Sequence, residues 1–157
     1  MGREIERKFL VAGDGWRQGV VAAKSLRQGY LARTDRISAR VRVEDDRSAT
    51  MTLKSAQPGI ARSEYEYAIP VEDALELLEL RQGKLVEKTR HIVEAGGMRW
   101  EVDVFAGELS GLVLAEIELP DTDTHFERPD WLGREVTHEA GYYNAALAMA
   151  GLPEKPR

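Results

Sequence analysis

The stretch Glu4-Ile5-Glu6-Arg7-Lys8-Phe9-Leu10-Val11 alternates with a strict period of two, which sets Glu4, Glu6 and Lys8 on one face of a strand and Ile5 and Phe9 on the other. Two carboxylates two residues apart on one strand face repel each other unless a cation sits between them, an ammonium or a metal ion. For one strand alone, a solvated charged face is the better explanation. Repetition along the chain is what gives the pattern weight.

Working outward, the same period recurs. Residues 37–43 set Arg40 and Arg42 against Ala39, Val41 and Val43, and residues 49–55 set Thr50, Thr52 and Lys54 against Met51 and Leu53. After a turn at Gln57-Pro58-Gly59, residues 60–69 carry Arg62, Glu64 and Glu66 in register, with Tyr65 and Tyr67 on the reverse. Lys88 and Arg90 share a face within 85–92, and Gly96-Gly97 then makes a hairpin into 98–105. There Glu101 and Asp103 oppose Trp100, Val102 and Val104; over 112–119, Glu116 and Glu118 oppose Ala115, Ile117 and Leu119. A strand over 26–33 contains Arg27-Gln28-Gly29-Tyr30-Leu31, with no clear division into faces.

The period becomes helical over 71–80, where Val71, Ala74, Leu75, Leu77 and Leu78 form the apolar stripe and Gly83 ends the helix. Thr137 is the expected cap of a second helix over 138–150, packed through Tyr142, Ala145, Ala146 and Met149.

Composition narrows the classes. A chain of 157 residues, 43% hydrophobic and 31% charged, suits one globular domain spanning 1–157. No apolar run approaches the roughly 20 residues of a membrane span. The chain meets charged residues at once and has no cysteine, so a cytoplasmic protein without disulfides is expected. A formal net charge of −5 argues against a nonspecific nucleic-acid binder.

Eight strand segments with short turns and two amphipathic helices predict a mainly β (α+β) fold. The expected form is an eight-stranded antiparallel β-barrel, a tunnel with a charged lumen and a few flanking helices. A conventional small barrel fills its lumen with apolar side chains and turns its charges to water, and the segregation of charge argues for the reverse here. A solvated face gains nothing from like-charged pairs two residues apart. A lumen that binds a polyanion uses both sets, Arg and Lys for phosphate oxygens and paired carboxylates for Mg2+ or Mn2+. The outward apolar residues then need cover, and two helices are too few for it, which points to a homodimer.

With all strands in view, the sequence resembles the CYTH superfamily, also called triphosphate tunnel metalloenzymes. The opening Glu4, Glu6 and Lys8 matches the family's E-x-E-x-K hallmark, followed in order by Arg40, Arg42, Lys54, Glu64, Glu66, Lys88, Arg90, Asp103, Glu116 and Glu118. The stretches LRQGYL (26–31), MTLKS (51–55), VEKTR (86–90) and DVFAG (103–107) are most similar to its short bacterial inorganic triphosphatases. Glu135-Val136-Thr137 and Tyr143-Asn144 look like the family's terminal element, but His138-Glu139-Ala140-Gly141 stands where a more basic stretch is expected.

The resemblance implies a tunnel in which Lys8, Arg40, Arg42, Lys54, Arg62, Lys88 and Arg90 grip a triphosphate. It implies that Glu4, Glu6, Glu64, Glu66, Asp103, Glu116 and Glu118 ligate Mg2+ or Mn2+ in a two-metal site, with Glu4, Glu6, Lys8 and Lys88 nearest the chemistry. Glu64 or Glu66 has the alternative of orienting a cation through an ion pair. Glu101 is expected at a solvated rim, and Tyr30 at the tunnel end, packed against the final helix.

Other chemistries lack support. His91, His125 and His138 are scattered, with His91 on an apolar side, and no nucleophile elbow, P-loop or dinucleotide fingerprint occurs. Trp100 and Trp131 read as core or cover residues. The expected activity is metal-dependent hydrolysis of inorganic triphosphate to pyrophosphate and orthophosphate. A class IV-type adenylate cyclase, or a thiamine or nucleoside triphosphatase, is the competing reading. A non-catalytic polyphosphate-binding module could dispense with the acidic pairs.

Overall fold

The computed structural model describes residues 5–55 and 63–153. Its strands are β1 (Ile5–Val11), β2 (Val20–Arg33), β3 (Ile37–Glu44), β4 (Ser48–Ser55) and β5 (Glu64–Ile69), then β6 (Gln82–Ala95), β7 (Met98–Ala106), β8 (Val113–Leu119) and β9 (Leu132–Glu135). Helix α1 (Val71–Glu79) lies between β5 and β6, and α2 (Asn144–Ala150) follows β9. The Gln57-Pro58-Gly59 turn lies outside the described residues, as do Glu4 and Arg62.

The strands form one antiparallel sheet in the order β5-β4-β3-β2-β6-β7-β8-β1-β9. Where eight strands are expected, the described residues form nine. The extra one, β9, is four residues long and pairs with β1, too short to show a period in sequence. Although β5 and β8 lie far apart in that order, Glu64 and Glu66 of β5 line the same cavity as Glu116 and Glu118 of β8. The sheet therefore curls around a lumen, as a twisted sheet of this size must.

Register keeps the two faces apart. Glu6 pairs with Glu118 and Lys8 with Glu116, Arg90 with Asp103, Arg40 with Thr52, and Lys54 with Glu64. Because strand side chains alternate, these pairings put the charged sets on the concave face together. The hairpin between β6 and β7 turns at Gly96 (φ 58°) and Gly97 (φ 73°), two consecutive left-handed positions that suit glycine, as expected.

Three apolar clusters cover the sheet from within the chain. On the convex side, Ala74 and Leu78 of α1 pack on Val41, Val43 and Ala49. Also on that side, Trp16, from a short 3-10 turn, and Trp131, from the connection before β9, pack with Phe9, Trp100, Val102 and Ile117. Trp100 meets Trp131 edge-on at 5.5 Å, and His91 lies against Trp16 at 4.9 Å, so these rings are core. The third cluster is on the lumen side, where Tyr30, Val86, Phe105 and Leu114 meet Tyr142 and, from α2, Leu147 and Ala148. Asn144 and Ala145, at the start of the final helix, line the lumen beside Tyr30.

Several local expectations give way. Strand β2 begins six residues before the expected start, in a segment without alternation. Helix α1 ends at Glu79, so Gly83 is no helix cap but lies in β6 at φ 72°. A Cβ there would sit 2.5 Å from the Ala148 carbonyl oxygen, so glycine lets the final helix approach. Helix α2 starts at Asn144 rather than after Thr137, because Tyr143 is extended. Its buried stripe is Leu147 and Ala148, while Met149 is 39% exposed; on α1, Leu75 is 40% exposed.

Candidate active site

The lumen is two adjoining cavities of about 510 and 520 Å³, both lined by Glu6, Arg40, Lys54 and Asn144. Their cations fall into two sets according to what holds them.

On one wall the cations are paired. Lys88 Nζ lies 2.8 Å from Asp103 Oδ2, while Arg90 donates to both Asp103 oxygens at 2.8 and 2.9 Å and reaches Glu101 at 2.9 Å. Lys8 Nζ lies 3.2 Å from Glu116. Burial alone would raise the Asp103 carboxyl, but Lys88 and Arg90 outweigh it and hold it far below the usual carboxylate range. Burial also acts on Lys88, only partly offset by Asp103, and pushes its ammonium down to about 8. For Arg90 burial works downward too, and the Asp103 hydrogen bonds carry it above its ordinary value.

On the wall built by β3 and β4 the cations are not paired. Among the described residues, Arg40, Arg42 and Lys54 have no carboxylate oxygen within 4.0 Å. Arg40 Nη2 donates to the Thr52 hydroxyl at 3.3 Å, and Arg42 Nε donates to Gln28 Oε1 at 2.8 Å. Burial first, then Arg40 and Arg90, push the Arg42 guanidinium down to about 10. Burial and then Arg40 lower Lys54. Like charges share a partly buried wall, an arrangement that costs free energy until an anion arrives.

The carboxylates are also divided. Glu6 is raised to about 8 by a hydrogen bond with Glu116, then by burial and by repulsion from Glu116, so this pair shares a proton. Glu118 faces Glu6 across the β1–β8 register. Glu64 and Glu66 sit exposed on β5, opposite Lys54 and Thr52. Among the described residues no three carboxylates or histidines converge on a ready-made metal site. The donor set still fits Mg2+ or Mn2+, since such ions are held by one or two carboxylates together with phosphate oxygens and water.

Asp103, expected as a metal ligand, is instead enclosed by Lys88 and Arg90, with a side chain only 3% exposed. Glu101, expected at a solvated rim, lines the lumen and pairs with Arg90; its phase with Asp103 was the signal for this. Sequence reasoning missed Gln28, Thr52 and Asn144. Asn144 accepts a hydrogen bond from Lys88 at 3.1 Å, and the neighbouring Tyr142 carbonyl accepts one from Lys8 at 3.3 Å. Thr137, expected as a helix cap, accepts from the Lys8 backbone N–H at 3.0 Å and so ties the terminal segment to β1.

A model of the CYTH domain matches residues 2–148, and the chain belongs to that family. An inorganic triphosphatase of Acetivibrio thermocellus is 47% identical over 148 residues, 94% of each chain. One of Nitrosomonas europaea is 44% identical over 151 residues, covering 94% of this chain and 97% of that one. The crystal structure of an inorganic triphosphatase superposes with a TM-score of 0.78 at 43% identity, covering 98% of this chain and 99% of that one. No described helix is long and apolar enough to cross a membrane.

Proposed function

We propose that the chain hydrolyses inorganic triphosphate to pyrophosphate and orthophosphate, using Mg2+ or Mn2+, in the cytoplasm. The observation that carries this is the juxtaposition, in one lumen, of Arg40, Arg42 and Lys54, which have no described carboxylate at ion-pair distance, with the carboxylates Glu6, Glu116 and Glu118. The names of the relatives support the choice of substrate.

Arg40, Arg42 and Lys54 bind and align the phosphate chain, supplying charge that no described carboxylate meets at ion-pair distance. Lys8 commits donors to Glu116 and to the Tyr142 carbonyl and, with three N–H donors, retains one for a phosphoryl oxygen in the cavity it lines. Lys88, by contrast, is fully buried between Asp103 and Asn144, lines neither cavity and acts by holding that wall together. Asp103 and Glu101 fix Arg90 and Lys88 rather than ligate metal. Glu6, Glu116 and Glu118, together with Glu4, hold a divalent ion, and Glu64 and Glu66 are the carboxylates available for a second. Bound there, the ion neutralises phosphate charge and lowers the pKa of an attacking water. Arg62 remains a candidate phosphate contact.

Tyr30 is buried against the terminal segment, and Tyr143, the other aromatic lining the same cavity, already has Lys8 Nζ 5.4 Å from its ring centre. Inorganic triphosphate is therefore expected to outcompete ATP and thiamine triphosphate. The test is a panel of these three with Mg2+ or Mn2+, scoring orthophosphate, pyrophosphate and cyclic AMP separately. Orthophosphate and pyrophosphate from inorganic triphosphate, at the highest kcat/KM, are expected; cyclic AMP or a preference for ATP would overturn the proposal.

A further inference from the structure

We infer that Gln28 is a positioning residue for the phosphate chain: its neutral amide fixes the Arg42 guanidinium without cancelling its charge. The inference rests on the triphosphate reading above and assigns a role within that site to a residue of the LRQGYL stretch.

Gln28 is fully buried on the lumen side of β2, with Arg42 as its partner across the β2–β3 register. It does not line either cavity, whereas Arg42 does. Two lumen arginines are gripped in the same way. Arg90 donates through Nε to Asp103 at 2.8 Å, and Arg42 donates through Nε to Gln28 at 2.8 Å. The acceptor is a carboxylate in the first case and an amide oxygen in the second. Held by Nε, Arg42 keeps four of its five N–H donors and its whole charge for a ligand.

The amide is not the acceptor that stability alone would select. Gln28 Nε2 is buried without a hydrogen-bond partner among the described residues, and so is Nε of Arg40. Arg40 lies opposite Tyr30, two residues along β2 on the same face, so donors outnumber acceptors in this corner. A glutamate at 28 would remove the orphaned amide donor and supply a countercharge, at nearly the same size. It would also turn Arg42 into a second Arg90, with its charge already spent.

The experiment compares wild type, Gln28→Glu, Gln28→Leu, Arg42→Met and the double variant Gln28→Glu/Arg42→Met. Triphosphate binding is measured by calorimetry in excess chelator, steady-state kinetics with saturating Mg2+, and thermal midpoints for each protein. Gln28→Glu is expected to melt at or above the wild-type midpoint, yet to bind triphosphate about 10- to 100-fold more weakly. Its KM should rise in parallel, with kcat within about threefold of wild type. In the Arg42→Met background the same change should alter affinity by less than about twofold, as expected of a residue acting through Arg42. Gln28→Leu should melt lower and also raise KM.

Wild-type affinity in Gln28→Glu, a fall in kcat at constant KM, a lower midpoint for Gln28→Glu, or an undiminished effect without Arg42 would each overturn the inference. If wild type binds triphosphate but releases no orthophosphate, the hydrolytic assignment fails and the binding comparison still decides the role of Gln28. If wild type does not bind triphosphate, both fall.

Discussion

Lys8, Lys88 and Arg90 each have a carboxylate within 3.2 Å, whereas Arg40, Arg42 and Lys54, across the same lumen, are met by a hydroxyl, an amide or no such group among the described residues. The residue types are the same and their surroundings are not. A paired cation in a buried site is structural, because removing its partner leaves an uncompensated charge. An unpaired cation in such a site weakens the fold until an anion binds it. The difference separates cations held in the protein's own ion pairs from cations left open to an incoming anion.

The largest expected effect attacks the paired wall. Asp103→Asn leaves Lys88 and Arg90 without their countercharge and is expected to cost about 3–5 kcal/mol in urea unfolding. Arg42→Met, on the other wall, should cost less, about 1–3 kcal/mol at most for the orphaned Gln28 amide oxygen, while lowering kcat/KM. Equal destabilisation by both would erase the distinction.

Next in size are the carboxylates of β8. Glu116→Ala and Glu118→Ala are each expected to lower turnover by about 100-fold or more with the fold intact by circular dichroism. Near wild-type turnover in either would remove β8 from the ligand set. Excess chelator should abolish turnover in the unmodified protein.

A smaller effect lies in pH. Glu6 keeps its proton up to about 8 in the folded chain but loses it near 4.5 when unfolded. Its contribution to the stability of the metal-free protein is thus complete below 4.5 and lost as pH rises through 8. A divalent ion must displace that proton, so its apparent affinity should rise by up to about tenfold per pH unit until 8 and then level off. Lys88 has the opposite sign. Depressed from 10.5 to about 8, it opposes folding until it loses its proton, so its effect on stability improves between 8 and 10.5. Titrating Mn2+ at pH 6.5, 7.5 and 8.5 by calorimetry separates the two. Affinity independent of pH would contradict the shared proton.

The smallest expected effect is at Thr52, whose hydroxyl accepts the 3.3 Å hydrogen bond from Arg40. Thr52→Val should raise KM about two- to fivefold and leave kcat alone. A larger loss in kcat would make Thr52 more than a support for Arg40.

The charged lumen was legible in the sequence because a strand's period of two sorts side chains by face, and Glu6, Lys8, Arg40, Arg42, Lys88 and Glu116 declare themselves by parity. Helix α1 and the Gly96-Gly97 hairpin were legible for the same kind of local reason. Strand β9 and the late start of α2 were not, since Leu132–Glu135 is too short for a period and Tyr143 interrupts an otherwise helical stretch. Nor could parity say whether Asp103 meets a metal or a lysine, because that depends on which strands become neighbours. Gln28 carried no charge to draw the eye. The structure also shows convex-side cover that the two expected helices did not include, from Trp16, Phe126 and Trp131.

One measurement tests the division of the lumen most directly: the thermal midpoint of the protein with and without inorganic triphosphate in excess chelator. A wall of uncompensated cations should bind the polyanion before any metal is present. A rise of about 5–10 °C is expected at a hundredfold excess over the dissociation constant, absent from an Arg40→Met/Arg42→Met variant. No rise in the wild-type protein, or the same rise in the variant, would contradict it.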